Sequence, residues 1–362
     1  MGSKGPTLHE VAERAGVSIA TVSRVARGFD QIAPSTRTRV LTAIEELNYH
    51  PSHFGKALQK RRHGTLGIVF PGLRGPYYSE VIHGFEVEAV EAEMSVLILG
   101  TELQKKADRQ VLGMADRADG LAIMGGTIDD SLILSLDRRH VPVVTMARPQ
   151  LGTIANVRVD NFTSTVELVR HLIEGHGYQR IDFVGNTIGA PDALDRWRAL
   201  LEAHAEIGIE PPSEPIAVGF DHESGVIAAT QILARPVLPQ AVVCGNDEIA
   251  FGLLSTLLVR NVHVPEDIAI TGWDDSPFSR YMTPPLSTVS QPARTLGQLT
   301  ARTLLAAIDG RLEETEDIVL PTTVRIRASC GCDFDPSTMF TPDTDPVTTE
   351  EEGVLTDEHV HT

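Results

Sequence analysis

Cysteine is nearly absent: three in 362 residues, Cys244, Cys330 and Cys332. That excludes a disulfide framework, and a lone C-x-C pair is too sparse for a zinc site, so neither a disulfide nor a metal is expected. Long apolar runs are also missing. No stretch approaches the roughly 18 to 20 residues of a membrane span, and the opening "MGSKGPTLHE" carries no secretory segment, so a cytoplasmic chain without a membrane partner is expected. Catalytic signatures are equally scarce. There is no G-x-S-x-G elbow, H-E-x-x-H pair, G-x-x-x-x-G-K loop or G-x-G-x-x-G fingerprint, and Asp274 and Asp275 are chain neighbours rather than a pair placed to flank a scissile bond. No enzyme and no cofactor is expected.

Basic charge is in deficit, with 31 Lys/Arg against 49 Asp/Glu. A net charge of −18 argues against a nucleic-acid partner until the charge is located along the chain. Residues 1–65 hold ten Lys/Arg against five Asp/Glu, whereas residues 333–362 hold nine acidic residues and no Lys/Arg. A basic head on an acidic body and tail can meet a polyanion locally while the body avoids it. The length predicts two or three domains, and 42% hydrophobic with 22% charged residues describes an ordinary globular composition.

Within the head (5–51), Thr7-Leu-His-Glu10 has capping-box spacing, and Leu8, Val11, Ala12 and Ala15 share one helical face. Gly16 suits a left-handed helix end, and Ser18 caps a second helix whose Val22 and Val25 point inward. A third helix is predicted from a Ser35 cap through Val40, Ile44 and Leu47, ending near Asn48. This is a three-helix helix-turn-helix unit. Its second helix leaves Ile19, Ala20, Ser23 and Arg24 outward, with Thr21 at the edge. Arg24 can donate two bonds to guanine, and Ile19 and Ala20 can meet thymine methyls; Thr21, Ser23 and the helix-start amides suit phosphate. The alternative is a three-helix unit that is purely structural or binds protein.

From Gly64 the pattern changes to short apolar strands alternating with amphipathic helices: "TLGIVF", "SVLILG", "DGLAIMG", "VPVVTM", then "IDFVGN", "PIAVGF", "AVVCGN" and "IAITGW". Strands joined by crossover helices imply parallel sheets covered on both faces, here two doubly wound subdomains with a break near Asp160-Asn161. Ligands of such sheets bind beyond the carboxyl ends of the strands. Tyr77, Tyr78, Arg148, Asp160, Phe220, Asn246 and Asp274 fall at or just beyond strand ends, and Arg196 follows a small-residue loop. Aromatic faces with amide, guanidinium and carboxylate groups suit a sugar-like ligand. Local readings stand beside this one: Asp274 capping a turn, Asn246 capping "DEIAF", Tyr77 in the core, and one arginine holding Asp160 or Asp274.

"LHEVAERAGVSIATVSRVARG", followed by "STRTRVLTAIEELNYHPS", resembles the head of the LacI/GalR family of bacterial transcriptional regulators. The resemblance implies a repressor that binds a pseudo-palindromic double-stranded DNA operator as a homodimer and is controlled by a small sugar or sugar derivative. It also implies a periplasmic-binding-protein-like body (64–332). By the same resemblance Ile19 and Ala20 are the variable base-reading pair, Arg24 a more constant base contact, and Thr7, Ser18, Thr21 and Ser23 backbone contacts. Segment 52–63 becomes a hinge helix in the minor groove, with Leu58 wedged into the central base step and Lys56 near phosphate. Effector contacts are implied for Tyr77, Arg196, Phe220, Asn246 and Asp274, with Arg148 and Asp160 as rim or hinge groups. The family often has alanine and arginine where this chain has Gly55 and Lys56, asparagine at Gly75, and threonine at Ser287. The alternative is a solute-binding or ligand-sensing protein that shares the body and has no specific DNA role. The acidic, proline-containing tail (333–362) is expected to be disordered, and the lack of a leucine heptad after the body favours a dimer over a tetramer.

Overall fold

Thr7 opens the first helix with both halves of a capping box. Its Oγ1 accepts from the Glu10 N–H at 3.3 Å, and the Glu10 carboxylate accepts from the Thr7 N–H at 2.6 Å. Helix α1 (Leu8–Ala15) ends at Gly16, whose φ of +62° is the left-handed value that glycine adopts without a Cβ penalty. Helix α2 (Ile19–Ala26) starts under Ser18, whose Oγ accepts from the Thr21 N–H at 3.2 Å. Helix α3 (Pro34–Glu46) corrects the expected Ser35 cap: Pro34 takes the first turn, where a missing N–H costs nothing, and Ala33 is the uncapped N-cap. Val11, Val22, Val25, Val40 and Ala43 close the head core.

The computed structural model describes residues 6–26, 32–49, 62–101, 107–312 and 316–335. The hinge positions Lys56 and Leu58, and the tail from 336 onward, lie outside the described residues.

The body begins where the Asp119 carboxylate accepts from the N–H groups of His63, Gly64 and Thr65. Then follow β1 (Thr65–Phe70), α4 (Pro76–Glu91), β2 (Ser95–Gly100), α5 (Ala107–Ala115), β3 (Gly120–Met124), α6 (Asp130–Arg138), β4 (Val143–Met146) and β5 (Ala155–Val159). The second subdomain holds α7 (Thr163–Arg170), β6 (Ile181–Val184), α8 (Pro191–Ile207), α9 (His222–Leu233), β7 (Ala241–Cys244), α10 (Asp247–Val259), β8 (Ala269–Thr271) and β9 (Thr288–Ser290). The chain then returns as α11 (Ala293–Ile308) and β10 (Asp317–Leu320) before closing on β11 (Thr323–Arg325).

The first sheet is parallel throughout in the order β10-β5-β4-β3-β1-β2. Its buried strand residues pack with Val81 and Phe85 of α4 and with Leu296, Ala301 and Leu304 of the returning α11. The second sheet, β6-β7-β8, is also parallel. The expected strand "PIAVGF" is reduced there to one bridge, Ile216 to Val184, in which the Ile216 N–H donates to the Phe183 carbonyl at 2.8 Å and its carbonyl accepts from the Gly185 N–H at 3.0 Å.

The chain thus passes between subdomains three times: at Asp160-Asn161, where the sequence break was expected, at Gln291-Pro292 and at Leu320-Pro321. Thr322 ties the first passage to the third, its Oγ1 lying 2.8 Å from the Asp160 carbonyl and 2.8 Å from Ser164 Oγ.

Candidate effector cleft and DNA-reading face

Loops beyond the carboxyl ends of both sheets face one another across a cleft of about 350 Å³. From the first subdomain come Pro71, Gly72 and Arg74 to Tyr78 after β1, Gly125 after β3 and Ala147 after β4; β1 and β3 are the strands at which the winding direction reverses. From the second come Asn186 to Ala193, Arg196, Phe220, Asn246, Glu248 and Asp274. Gly126, at φ +77°, comes so close to the opposite lobe that a Cβ there would lie 2.1 Å from the Gly189 carbonyl oxygen. At the mouth Arg74 and Asp221 approach to 3.9 Å.

Arg196 is the most constrained group of the cleft. It is 6% exposed; its Nε donates to Asn161 Oδ1 at 2.9 Å and its NH1 to the Gly245 carbonyl at 2.5 Å, while the guanidinium lies 4.2 Å from the Trp273 ring centroid. Burial pulls its pKa down, and the charges of Asp192 and Asp274 hold it up. Asp192 stands one helical turn before Arg196 on α8 and accepts from Asn161 Nδ2 at 2.9 Å. Burial pushes its carboxyl pKa up against the pull of Arg196.

Asp274 accepts from Gln291 Nε2 at 2.5 Å. Burial raises its pKa to about 7, opposed by Arg196 and Gln291 and reinforced by the charges of Glu248 and Asp192. Its backbone φ of +122° and that of Asp275, +53°, are unusual for non-glycine residues. Arg327 anchors the turn by donating to Asp275 Oδ1 at 2.6 Å. Behind it the buried Asp247 carboxylate accepts from the Ser276 N–H at 2.7 Å and the Thr288 hydroxyl at 2.6 Å.

Tyr77 and Tyr78 pack edge to face at 5.4 Å, resting on the first core while lining the cleft. Burial keeps the Tyr77 phenol pKa well above its ordinary value, so it stays a neutral donor and acceptor. Asn246 both lines the cleft and caps α10: its Oδ1 accepts from the Ile249 N–H at 3.0 Å, and its Nδ2 donates to the Phe220 carbonyl at 2.9 Å.

Two expected site residues lie elsewhere. Arg148 lies outside the cleft lining although Ala147 before it lines the cleft, because its side chain turns to Asp130 Oδ1, to which it donates at 2.8 Å, and to the Pro149 carbonyl at 3.1 Å. Asp160 accepts from the Phe162 and Thr163 N–H groups at the first passage, outside the lining but at the hinge position expected for it. The sequence reading missed Asp192, Glu248 and Gln291; the four-residue spacing of Asp192 and Arg196 was the one local signal available.

On the head, Ile19 is 46% exposed, and Ala20 and Arg24 are exposed beside it. Ser18 and Thr7 are exposed at the starts of α2 and α1, and Thr21 and Ser23 are half-buried at the edge of α2. Ile19, Ala20, Ser23 and Arg24 share one face of α2, and the Ser18 and Thr21 hydroxyls lie 2.9 Å apart at its start. Among the described residues no helix is long and apolar enough to cross a membrane.

A helix-turn-helix head on a two-lobed cleft body defines a ligand-responsive DNA-binding regulator. Residues 7–52 match the model for bacterial regulatory proteins of the lacI family, and residues 169–330 match a periplasmic binding protein-like domain. The chain is 34% identical over 330 residues to the HTH-type transcriptional repressor PurR of Erwinia tasmaniensis, covering 89% of this chain and 96% of PurR. It is 30% identical to the repressor CytR of Escherichia coli K12, covering 84% and 90%. The solved lac repressor dimer bound to operator and the anti-inducer ONPF superposes with a TM-score of 0.79 at 27% identity, covering 90% of this chain and 99% of that one. The regulator CelR in complex with cellobiose gives 0.68 at 30%, covering 90% and 99%. The chain belongs to the LacI/GalR family of bacterial transcriptional regulators.

Proposed function

We propose that the protein is a homodimeric repressor whose operator affinity is set by a neutral, polyhydroxylated sugar held between the two lobes. One observation carries the effector-controlled part: cleft side chains bond directly to the passages that join the lobes. Arg196 holds Asn161 on the first passage, and Asp274 holds Gln291 on the second. A ligand that engages Arg196 and Asp274 therefore acts on the segments about which the lobes turn, which is the differential contact an allosteric shift requires.

Charge selects the ligand class. Asp192, Asp221, Glu248 and Asp274 face the cleft against only Arg74 and Arg196, since Arg148 is engaged by Asp130 outside it. Burial draws Asp192 and Asp274 toward the protonated form, so the lining offers an acidic or phosphorylated sugar no surplus of positive charge, whereas its carboxyl groups exchange hydrogen bonds with hydroxyls, and the aromatic walls suit the C–H faces of a pyranose. The relative solved with cellobiose supports the same class.

On DNA, two α2 helices would enter successive major grooves about one helical turn apart, with Ile19, Ala20 and Arg24 toward bases and Thr7, Ser18, Thr21 and Ser23 toward phosphates. Lys56 and Leu58 would act at the centre of the operator. The second copy would cover apolar side chains such as Leu258, 71% exposed, and Val259, 78% exposed. The lac repressor solved as an operator-bound dimer supports this assembly.

The test pairs a gel shift on a labelled palindrome from the protein's own promoter region with a thermal-shift screen of neutral sugars, sugar acids and sugar phosphates. A saturable, sequence-dependent shift altered by a neutral sugar is expected. Sequence-independent binding, or a response confined to the anionic ligands, would overturn the corresponding half.

A further inference from the structure

At the end of the second subdomain opposite the cleft, four side chains that the sequence leaves far apart converge. His171 and His176 lie at the end of α7, and Cys330 and Cys332 follow β11; the pair Cys330 and His171 is 159 positions apart. Their four ligating atoms lie within 4.8 Å of one another. Four of the six edges of this figure are 3.3 Å between the two imidazole Nε2 atoms, 3.6 Å from Cys330 Sγ to His171 Nε2, 3.4 Å from Cys332 Sγ to His171 Nε2, and 3.3 Å from Cys332 Sγ to His176 Nε2, and the remaining two are within 4.8 Å.

We propose that His171, His176, Cys330 and Cys332 form a tetrahedral structural site for a zinc-class divalent ion. With Zn–N of about 2.0–2.1 Å and Zn–S of about 2.3 Å, tetrahedral angles require N···N edges of about 3.3 Å and N···S edges of about 3.6 Å. The N···N edge and the three N···S edges lie within about 0.3 Å of these values. Two imidazoles and two thiols form the donor set that selects zinc over hard oxygen-seeking ions. Cys330 is fully buried and the other three are half-buried, so the cluster is rooted in the core and reaches the surface on one side.

The backbone is shaped for this convergence. Residues five apart on an α-helix point about 140° away from each other. The wider turn His171–Gly175 replaces the last α-turn, and His176 then leaves the helix with φ −114°, which brings both Nε2 atoms to one side. The Tyr178 ring stacks on His176 at 5.3 Å, and its hydroxyl donates to the Cys330 carbonyl at 3.2 Å, joining the two halves of the cluster.

The ion would fasten the carboxyl-terminal strap to the body. That strap carries Arg327, which holds Asp275 next to the cleft, and Ser329, whose hydroxyl donates to the Ile270 carbonyl at 2.6 Å. The site is separate from the effector cleft: Cys330 packs with Ile181 and Ala269, the first residues of β6 and β8, at the amino ends of the strands.

The test uses the full chain, purified under phosphine reductant and reconstituted with zinc or cobalt. Elemental analysis is expected to find one zinc per chain, and cobalt to give the intense visible absorption of a tetrahedral ion with sulfur-to-cobalt charge transfer. Because loss of the buried Cys330 can disturb folding, the informative variants are Cys332→Ser and His176→Gln. Each should lose the tetrahedral cobalt spectrum while keeping the far-ultraviolet circular dichroism of the parent, and a chelator should lower the melting temperature of the parent but not of either variant. Overturning results are a reconstituted chain without stoichiometric zinc, a cobalt spectrum unchanged in both variants, or a Cys330–Cys332 disulfide in the reduced preparation.

Discussion

Asp274 gives this cleft a built-in dependence on pH. Its folded pKa of about 7 stands above the ordinary 3.8, so between those values the folded chain keeps a proton that the unfolded chain has released. The stability this group contributes is complete below about pH 3.8 and is lost as pH rises through about 7. Asp192 and Asp247 shift in the same direction and add to the slope. Asp274→Asn is therefore expected to gain melting temperature on the parent as pH is raised from about 5 to about 8; a constant difference across that range would show that Asp274 titrates normally. Two arginines separate the two functions. Arg24→Ala should weaken operator binding by roughly 10- to 100-fold, the worth of a paired base contact, and leave ligand thermal shifts intact. Arg196→Ala should abolish the ligand shift while the ligand-free chain still binds operator. Loss of both activities in both variants would refute the division between head and cleft.

At the scale of elements, the head follows from local rules and the cleft from close approach. Thr7→Ala removes the α1 cap and should cost the head about 1 kcal/mol, read as reduced operator affinity and earlier melting of the isolated head transition. Gly126→Ala probes the opposite wall of the cleft. Its φ of +77° and the 2.1 Å distance from a built Cβ to the Gly189 carbonyl mean that a methyl must push the lobes apart. The expected outcome is weaker ligand binding with little change in operator affinity of the ligand-free protein, measured by calorimetry and gel shift. Capping spacing, strand-helix alternation and the break at Asp160-Asn161 were legible in the sequence because each depends on residues a few positions apart. Ser35 was misread because serine is a good cap, but the preceding proline is a better first helical residue.

For the whole molecule, the proposed coupling of ligand to DNA runs through the three passages between lobes. Asn161→Ala removes the bond from Arg196 to the first passage. It is expected to shrink the ratio of operator affinities with and without ligand more than it changes either affinity's dependence on the head, and titration of operator at saturating and zero ligand measures that ratio. An unchanged ratio would place the coupling elsewhere. Operator affinity should also fall with salt in proportion to the phosphates met by the two heads, despite the net charge of −18, because the excess of acidic residues lies in the body and tail.

The sequence by itself determined what short-range chemistry controls: a basic three-helix head with Ile19, Ala20 and Arg24 outward, two wound subdomains, and Tyr77, Tyr78, Arg196, Phe220, Asn246 and Asp274 beyond strand ends. Tertiary structure decided what depends on which distant segments meet. The return of α11 and β10 to the first sheet set the second and third passages, the ion pair with Asp130 kept Arg148 outside the cleft, and the meeting of the two lobes admitted Asp192, Glu248 and Gln291. The cysteines show the reason most directly. Cys330-x-Cys332 had no partner within reach along the chain, and only folding, with its altered turn at His171–Gly175, brought two imidazoles into ligating distance.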